Sequence, residues 1–169
     1  MENLGDYLIT DTLNDSQIDT LIRYSNTDPV LAKWTSDRKR FSTQKSTKNW
    51  LQLNPEYIVL TDIHEELLGI AWLQTKSIPA DFILKLDSES EKKFTKTCAI
   101  RLYSTARGKG LGVWFYTQLF DRFESRYVWA KVSADNIASI HLHERLGFKQ
   151  TSQPDDLNKI ILVRDSHNN

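Results

Sequence analysis

The apolar positions of the chain fall into short blocks of alternating and helical spacing. Tyr7-Leu8-Ile9 reads as a first strand. Ile18, Leu21 and Ile22 recur at helical spacing, and Asn14, Asp15 or Ser16 can cap that helix. Asp28-Pro29 interrupts the pattern, and a second helical piece is predicted over Val30 to Trp34. Ser42 or Thr43 can cap a helix ending near Leu53, ahead of Asn54-Pro55. Glu56 to Thr61 and Leu67 to Gln74 are rich in strand formers, and the polar turn between them makes a hairpin. Ile78-Pro79-Ala80 breaks the pattern. Asp81 to Glu91 is hard to assign: Phe82-Ile83-Leu84 fits a short strand or a helical turn, with an acidic loop after it.

Phe94 to Tyr103 is the next predicted strand. Phe115, Leu119 and Phe123 recur every fourth residue and predict one face of a helix over Leu111 to Phe123. Tyr127 to Val132 is a further strand. Ser133 to Asn136 opens a helix through Arg145, which Gly147 stops. Phe148 to Ser152 and Lys159 to Arg164 form a last hairpin, and Asp165 to Asn169 is a polar tail expected to fray. The order is therefore β, α, α, β, β, β, α, β, α, β, β. The strand–helix–strand crossover from residue 94 to residue 132 implies a parallel pair, and the hairpins imply antiparallel ones. The expected class is α+β or mixed α/β, one twisted sheet with helices on its faces.

At 169 residues the chain fits a single domain spanning 1–169. Lys+Arg and Asp+Glu are both 22, a balance that argues against a dedicated nucleic-acid or anionic-membrane binder. The basic stretch Lys33 to Lys48 contains Trp34 and Phe41, with Trp50 just beyond. It reads either as a helix with its aromatic side packed down or, less well, as a nucleic-acid surface. A single cysteine, Cys98, excludes an intrachain disulfide and a cysteine-built zinc site. Its apolar strand suggests a small buried residue rather than a reactive thiol. No signal peptide and no span long enough for a bilayer are evident, so a cytoplasmic location is expected.

The stretch Thr105-Ala106-Arg107-Gly108-Lys109-Gly110-Leu111-Gly112 lies between a predicted strand and a predicted helix. Alternate glycines permit backbone conformations closed to other residues and let a ligand approach the amides. The helix start adds unpaired N–H donors and partial positive charge. The arrangement suits a phosphate or pyrophosphate, although a bare glycine turn would look the same. A P-loop needs Lys-Ser or Lys-Thr after its last glycine, and Leu111 and Val113 stand there instead. A dinucleotide fingerprint needs Gly-x-Gly-x-x-Gly and an acidic residue closing the next strand; the glycines are 108, 110 and 112, and that strand ends Ala130-Lys131-Val132.

Arg107-Gly108-Lys109-Gly110-Leu111-Gly112 matches the Arg/Gln-x-x-Gly-x-Gly/Ala signature of the GNAT-type N-acetyltransferases. The run from Asn136 to Phe148, ending His143-Glu144-Arg145-Leu146-Gly147-Phe148, resembles that family's second motif, which ends Tyr-Glu-Lys-Leu-Gly-Phe. The resemblance is sharp over about residues 94–150. It implies a single twisted mixed sheet that splays between the fourth and fifth strands, with helices on both faces. It also implies acetyl-coenzyme A as cosubstrate, no metal, and an amine acceptor on a small molecule or a protein. A membrane is not implied, nucleic acid is disfavoured, and a homodimer is compatible.

By position, Ile100 and Leu102 would offer backbone groups to the pantetheine arm, much as a sheet edge takes an added strand. The amides of Arg107, Gly108, Lys109, Gly110, Leu111 and Gly112 would hold the pyrophosphate. Lys109 would add charge there or remain a solvated loop residue. Asn136 would bond the pantetheine or cap its helix. Trp114 and Trp129 read as packing aromatics. The family's leaving-group acid is often the tyrosine of the second motif, and this chain has His143 at that place. His143 would either donate to the departing sulfur or merely pack beside the coenzyme. No base is evident: Lys92 to Thr97 contains no carboxylate, and Glu91 is the nearest. The acidic loop 87–91 would be a solvated connection or an attraction for a cationic acceptor. Two activities follow, an N-acetyltransferase or a non-catalytic acyl-coenzyme A-binding module on the same fold.

Overall fold

The computed structural model describes residues 2–35, 37–82 and 84–166. Ile83 and the last three residues of the predicted tail lie outside them. The chain forms two compact units, one from residues 1–72 and 100–111, the other from 73–99 and 112–169.

The first unit contains strands β1 (Glu2–Leu4), β2 (Tyr7–Thr10) and β3 (Glu56–Asp62), the larger part of β4 (Leu67–Thr75) and the end of β5 (Lys96–Leu102). Their order is β1-β2-β3-β4-β5. The three-residue β1 is absent from the expected order. It pairs antiparallel with β2 from Leu4↔Tyr7 to Glu2↔Ile9, turning at Gly5, whose φ of 60° is left-handed. Three helices follow at the three places where helical pieces were expected, although the expected order counted two: α1 (Asp15–Thr27), α2 (Pro29–Trp34) and α3 (Gln44–Gln52). Asn14 starts α1 with a reciprocal box: its side chain accepts from the Gln17 amide at 2.9 Å, and its amide donates to Gln17 Oε1 at 3.1 Å. Ile18 and Leu21 are the buried apolar positions of that helix. Asp28 ends α1 and caps α2, so the Asp-Pro break serves two helices. Thr43 caps α3. The basic stretch is thus interrupted by a turn rather than forming one helix. Phe41 is fully buried, edge-on to Trp50 at 4.9 Å and to Trp72 at 5.6 Å. Lys33, Lys39, Lys45 and Lys48 are exposed.

The second unit contains the end of β4, the start of β5, α4 (Ser88–Glu91), α5 (Leu111–Arg122) from its second residue, β6 (Tyr127–Ser133), α6 (Ile137–Arg145), β7 (Lys149–Gln150) and β8 (Lys159–Asp165). The strand order is β4-β5-β6-β8-β7. β6 pairs antiparallel with β8 along its whole length, from Tyr127↔Asp165 to Ser133↔Lys159. Four consecutive β8 residues, Ile160 to Val163, are buried, which requires cover on both sheet faces. Ile161 and Val163 join Trp129, Phe94, Ile78 and Phe82 in one cluster, and strand alternation sends Ile160 and Leu162 to the other face. On α5 the buried stripe is Phe115, Tyr116, Leu119 and Phe120, wider than the expected every-fourth pattern. Phe123 lies past the helix end and is half-buried. The segment that was hard to assign makes a single bridge, Leu84↔Ser152, and then the one-turn α4 capped by Asp87. The class is the expected mixed α/β sheet with flanking helices.

Candidate functional site

Within the second unit, β5 and β6 run parallel for two residue pairs only, Lys96↔Val128 and Thr97↔Trp129. Cys98 and Ala99 continue β5 without a partner in β6, while the other edge of β6 is fully paired with β8. The sheet therefore opens at the expected place, leaving strand-edge groups for a ligand.

Of the expected site residues, Ile100, Leu102 and Arg107 to Leu111 belong to the first unit, and Gly112, Asn136 and His143 to the second. Ile100 and Leu102 are half-buried in the last residues of β5. After Tyr103 the chain turns tightly: the amides of Ala106 and Arg107 both donate to the Tyr103 carbonyl, at 2.9 and 3.1 Å. Gly108 and Gly110 each have φ of 75°, a conformation that strains any residue with a Cβ. A Cβ would meet nothing within 4 Å at either position, so backbone angle and not space calls for glycine there. Among the described residues, no backbone hydrogen bond takes up the amides of Gly108, Lys109 and Gly110. The loop thus leads into α5 with donors free, which fits a diphosphate. Lys109 is exposed, its ammonium 6.0 Å from the centre of the Tyr7 ring.

Sequence reasoning missed what holds the loop. Arg107 Nη2 donates to Asp28 Oδ2 at 2.5 Å, and the Asp28 side chain is 3% exposed. Burial pushes the Asp28 carboxyl up, but hydrogen bonds from Arg107 and from the Leu31 and Val30 amides outweigh it and hold the group below the ordinary carboxylate range. Arg101 was missed too. It is buried, donating to Ser25 Oγ and to the Asp37 carbonyl at 3.0 Å each, with Phe41 under its guanidinium at 4.8 Å. A charge within an apolar strand was the available signal for Arg101. For Asp28 there was only a helix-break motif, with its partner 79 residues away.

In the second unit, Asn136 caps α6 by accepting from the Ser139 amide at 3.3 Å. Trp129 is buried, and its Nε1 donates to the Lys76 carbonyl at 2.7 Å, as befits a packing aromatic. His143 is 3% exposed, set edge-on to Phe148 at 4.9 Å and to Tyr116 at 5.5 Å. Its Nδ1 lies 2.7 Å from the Ser139 carbonyl, which only accepts, so Nδ1 carries the proton. Nε2 then has a lone pair and no hydrogen-bond partner. Burial lowers the His143 pKa, against the bond to Ser139, and favours the neutral ring.

The acidic segment is engaged locally. Asp87 accepts from the Ser90 amide and hydroxyl, each at 2.8 Å, and Glu89 pairs with Lys92. A neighbouring cavity of about 360 Å³ is lined by Lys85, Lys93 and Lys149 and by none of the carboxylates of 87–91. Among the described residues, no group of His, Cys, Asp and Glu is placed to hold a metal ion, and no helix is long and apolar enough to cross a membrane.

Residues 23–148 match the model of the acetyltransferase (GNAT) family. No curated protein sequence matches the chain. Among solved structures it is similar to the ribosomal-protein-S5-alanine acetyltransferase of Vibrio fischeri, with TM-score 0.70 and 17% identity over 97% of this chain and 95% of that one. It is also similar to yncA of Salmonella typhimurium, solved with its cofactor acetyl-CoA, with TM-score 0.66 and 17% identity over 95% and 94%. The spermidine N-acetyltransferase of Vibrio cholerae, solved with CoA and spermine, gives TM-score 0.65 and 12% identity over 95% and 94%. At these identities the likeness is one of fold.

Proposed function

Because the chain belongs to the acetyltransferase (GNAT) family, we propose that it transfers an acetyl group from acetyl-coenzyme A to a primary amine. The observation that carries this reading is the loop with free amides at Gly108, Lys109 and Gly110, its two glycines at left-handed φ, followed directly by a helix start. Those amides, with Leu111 and Gly112 at the head of α5, would hold the coenzyme's diphosphate, and Lys109 would add a point charge. Arg107 contributes differently from the others: its amide is bonded to Tyr103 and its guanidinium to Asp28. The unpaired run of β5 from Cys98, continuing to Ile100 and Leu102, would bond the pantetheine arm. Asn136 would act through the start of α6, which it caps.

The thioester supplies the acetyl carbon, which the acceptor nitrogen attacks directly; a C–N bond forms and the C–S bond breaks. A backbone N–H near Ile100 would face the developing oxyanion. An amine with a pKa of about 10.4 must lose a proton first; water would carry it, since Asp87 is bonded to Ser90 and Glu89 to Lys92, with Glu91 as the remaining carboxylate of the segment. His143 would protonate the departing thiolate only as the imidazolium. With Nδ1–H on Ser139 and the ring held neutral by burial, that role is confined to the acid side of neutrality, and water serves above it. The neutral ring is also what favours the second reading, a binding module that keeps the cradle without turnover.

Thiol release from acetyl-coenzyme A, assayed over a panel of polyamines, amino acids and peptide N-termini, tests the reading together with calorimetric binding of coenzyme A. Binding with turnover on at least one amine is expected. Binding without turnover on all of them selects the module, and absence of binding removes both readings.

A further inference from the structure

Arg107 opens the glycine loop, yet its donors are engaged within the first unit. Its amide donates to the Tyr103 carbonyl at 3.1 Å, and its Nη2 to Asp28 Oδ2 at 2.5 Å. The other oxygen, Asp28 Oδ1, accepts from the Val30 and Leu31 amides at 2.9 and 3.3 Å and so begins α2. Asp28 itself closes α1 by donating its amide to the Tyr24 carbonyl at 2.9 Å. Tyr24 stacks on Tyr103 with ring centres 4.4 Å apart and planes 15° from parallel. Tyr103 is fully buried and Ala106 nearly so. Tyr103 and Arg107 are therefore tied to the α1–α2 junction by ring and charge, and backbone bonds close the turn between them. One residue later the chain becomes exposed and left-handed, and its amides are free.

This contrast has a physical consequence. A glycine loop loses more conformational freedom on ordering than other segments do, and a ligand that orders it binds more weakly for that reason. Fixing the root of the loop in advance reduces that loss. A carboxylate buried with three donors can fix it firmly, because a charge-assisted bond in a dry setting is both strong and geometrically narrow.

We propose that Asp28 is a positioning residue for the coenzyme's diphosphate, acting through the Arg107 guanidinium to hold the Gly108–Gly110 amides ready for it. The inference rests on the coenzyme reading above. Asp28 touches no reacting atom, so its loss appears in coenzyme affinity, and specifically in the diphosphate's share of it.

The test is calorimetry on the full chain with two ligands, coenzyme A and pantetheine, the second lacking the diphosphate. Asp28→Asn and Arg107→Gln are expected to weaken coenzyme A binding about tenfold, the scale of one charge-assisted bond, and to leave pantetheine within about twofold. Arg107→Lys keeps a cation for Asp28 and should recover part of the loss. Should a single variant fail to fold, as judged by far-ultraviolet circular dichroism, the pair Asp28→Asn/Arg107→Gln leaves no lone buried charge and decides the matter by the same comparison. Equal losses for both ligands, or unchanged coenzyme A binding, overturn the proposal while the coenzyme reading stands. Failure of the wild-type chain to bind coenzyme A overturns the coenzyme reading and this proposal with it.

Discussion

At the scale of single residues, two buried groups have chemistry that burial restrains. His143 donates from Nδ1 to Ser139 and keeps an unpartnered lone pair on Nε2 among aromatic rings. A neutral imidazole so arranged accepts a proton more readily than it gives one. If the ring acts as an acid only when charged, the ratio of wild-type to His143→Phe turnover should be near one at pH 8. It should rise only at a pH under the ordinary histidine value of about 6.5, because burial lowers the ring's pKa. Turnover at saturating substrate from pH 5.5 to 8.5 checks this, and a constant ratio throughout would reduce His143 to packing. For Cys98, burial pushes the thiol up to about 12 against a hydrogen bond from Tyr116. The thiolate is the reactive form, so the folded protein should resist Ellman's reagent, with labelling rising in step with unfolding by urea. Rapid stoichiometric labelling without denaturant would contradict the burial.

At the scale of elements, the ends are better defined than the middles. The close of α6 has both bonds of the left-handed cap: Phe148 N to His143 O and Gly147 N to Glu144 O, each 3.0 Å, with Gly147 at φ of 83°. Gly147→Ala should cost about 1–2 kcal/mol from the left-handed backbone alone. That lowers the thermal midpoint by about 2–8 °C in a chain of this size, readable by calorimetry. A change under 1 °C would mean that the cap relaxes at no cost. The same local chemistry made much of the fold legible beforehand. Asn14, the Asp28-Pro29 break, Thr43, Asn136 and Gly147 each mark a boundary through bonds to residues two to four positions away. What was not legible depends on distant partners. The short β1 exists by pairing with β2, and the one-turn α4 has no buried residue to mark it. Of the site, the glycine loop was legible because glycine spacing is a local fact, while the opening of the sheet was legible only through the family resemblance. The anchoring of Arg107 by Asp28 was not, since nothing in either residue's neighbours names the other.

At the scale of the whole chain, two depressed pKa values make stability depend on pH, with declines that begin at different points. His143 is lowered mainly by burial, so below about 6.5 the unfolded chain takes up a proton that the folded chain refuses. Protons then favour unfolding, and stability falls as the pH drops through that range until the folded ring also titrates. Asp28 is lowered despite its burial, by Arg107 and two helix amides. Its contribution is fully present above the unfolded carboxylate value of about 3.9 and is lost as the pH falls through the lower folded value. The signs agree, and both groups weaken the protein in acid, but the two declines begin at different pH, at about 6.5 for His143 and about 3.9 for Asp28. Urea unfolding from pH 8 to pH 3 should therefore show a first decline below about 6.5 that His143→Phe flattens, and a second below about 4 that Asp28→Asn flattens. Each variant should leave the other's window intact, since the two residues lie in different units and share no bond. A single decline that neither variant alters would place the acid sensitivity in other carboxylates and deny both buried groups a measurable part in it.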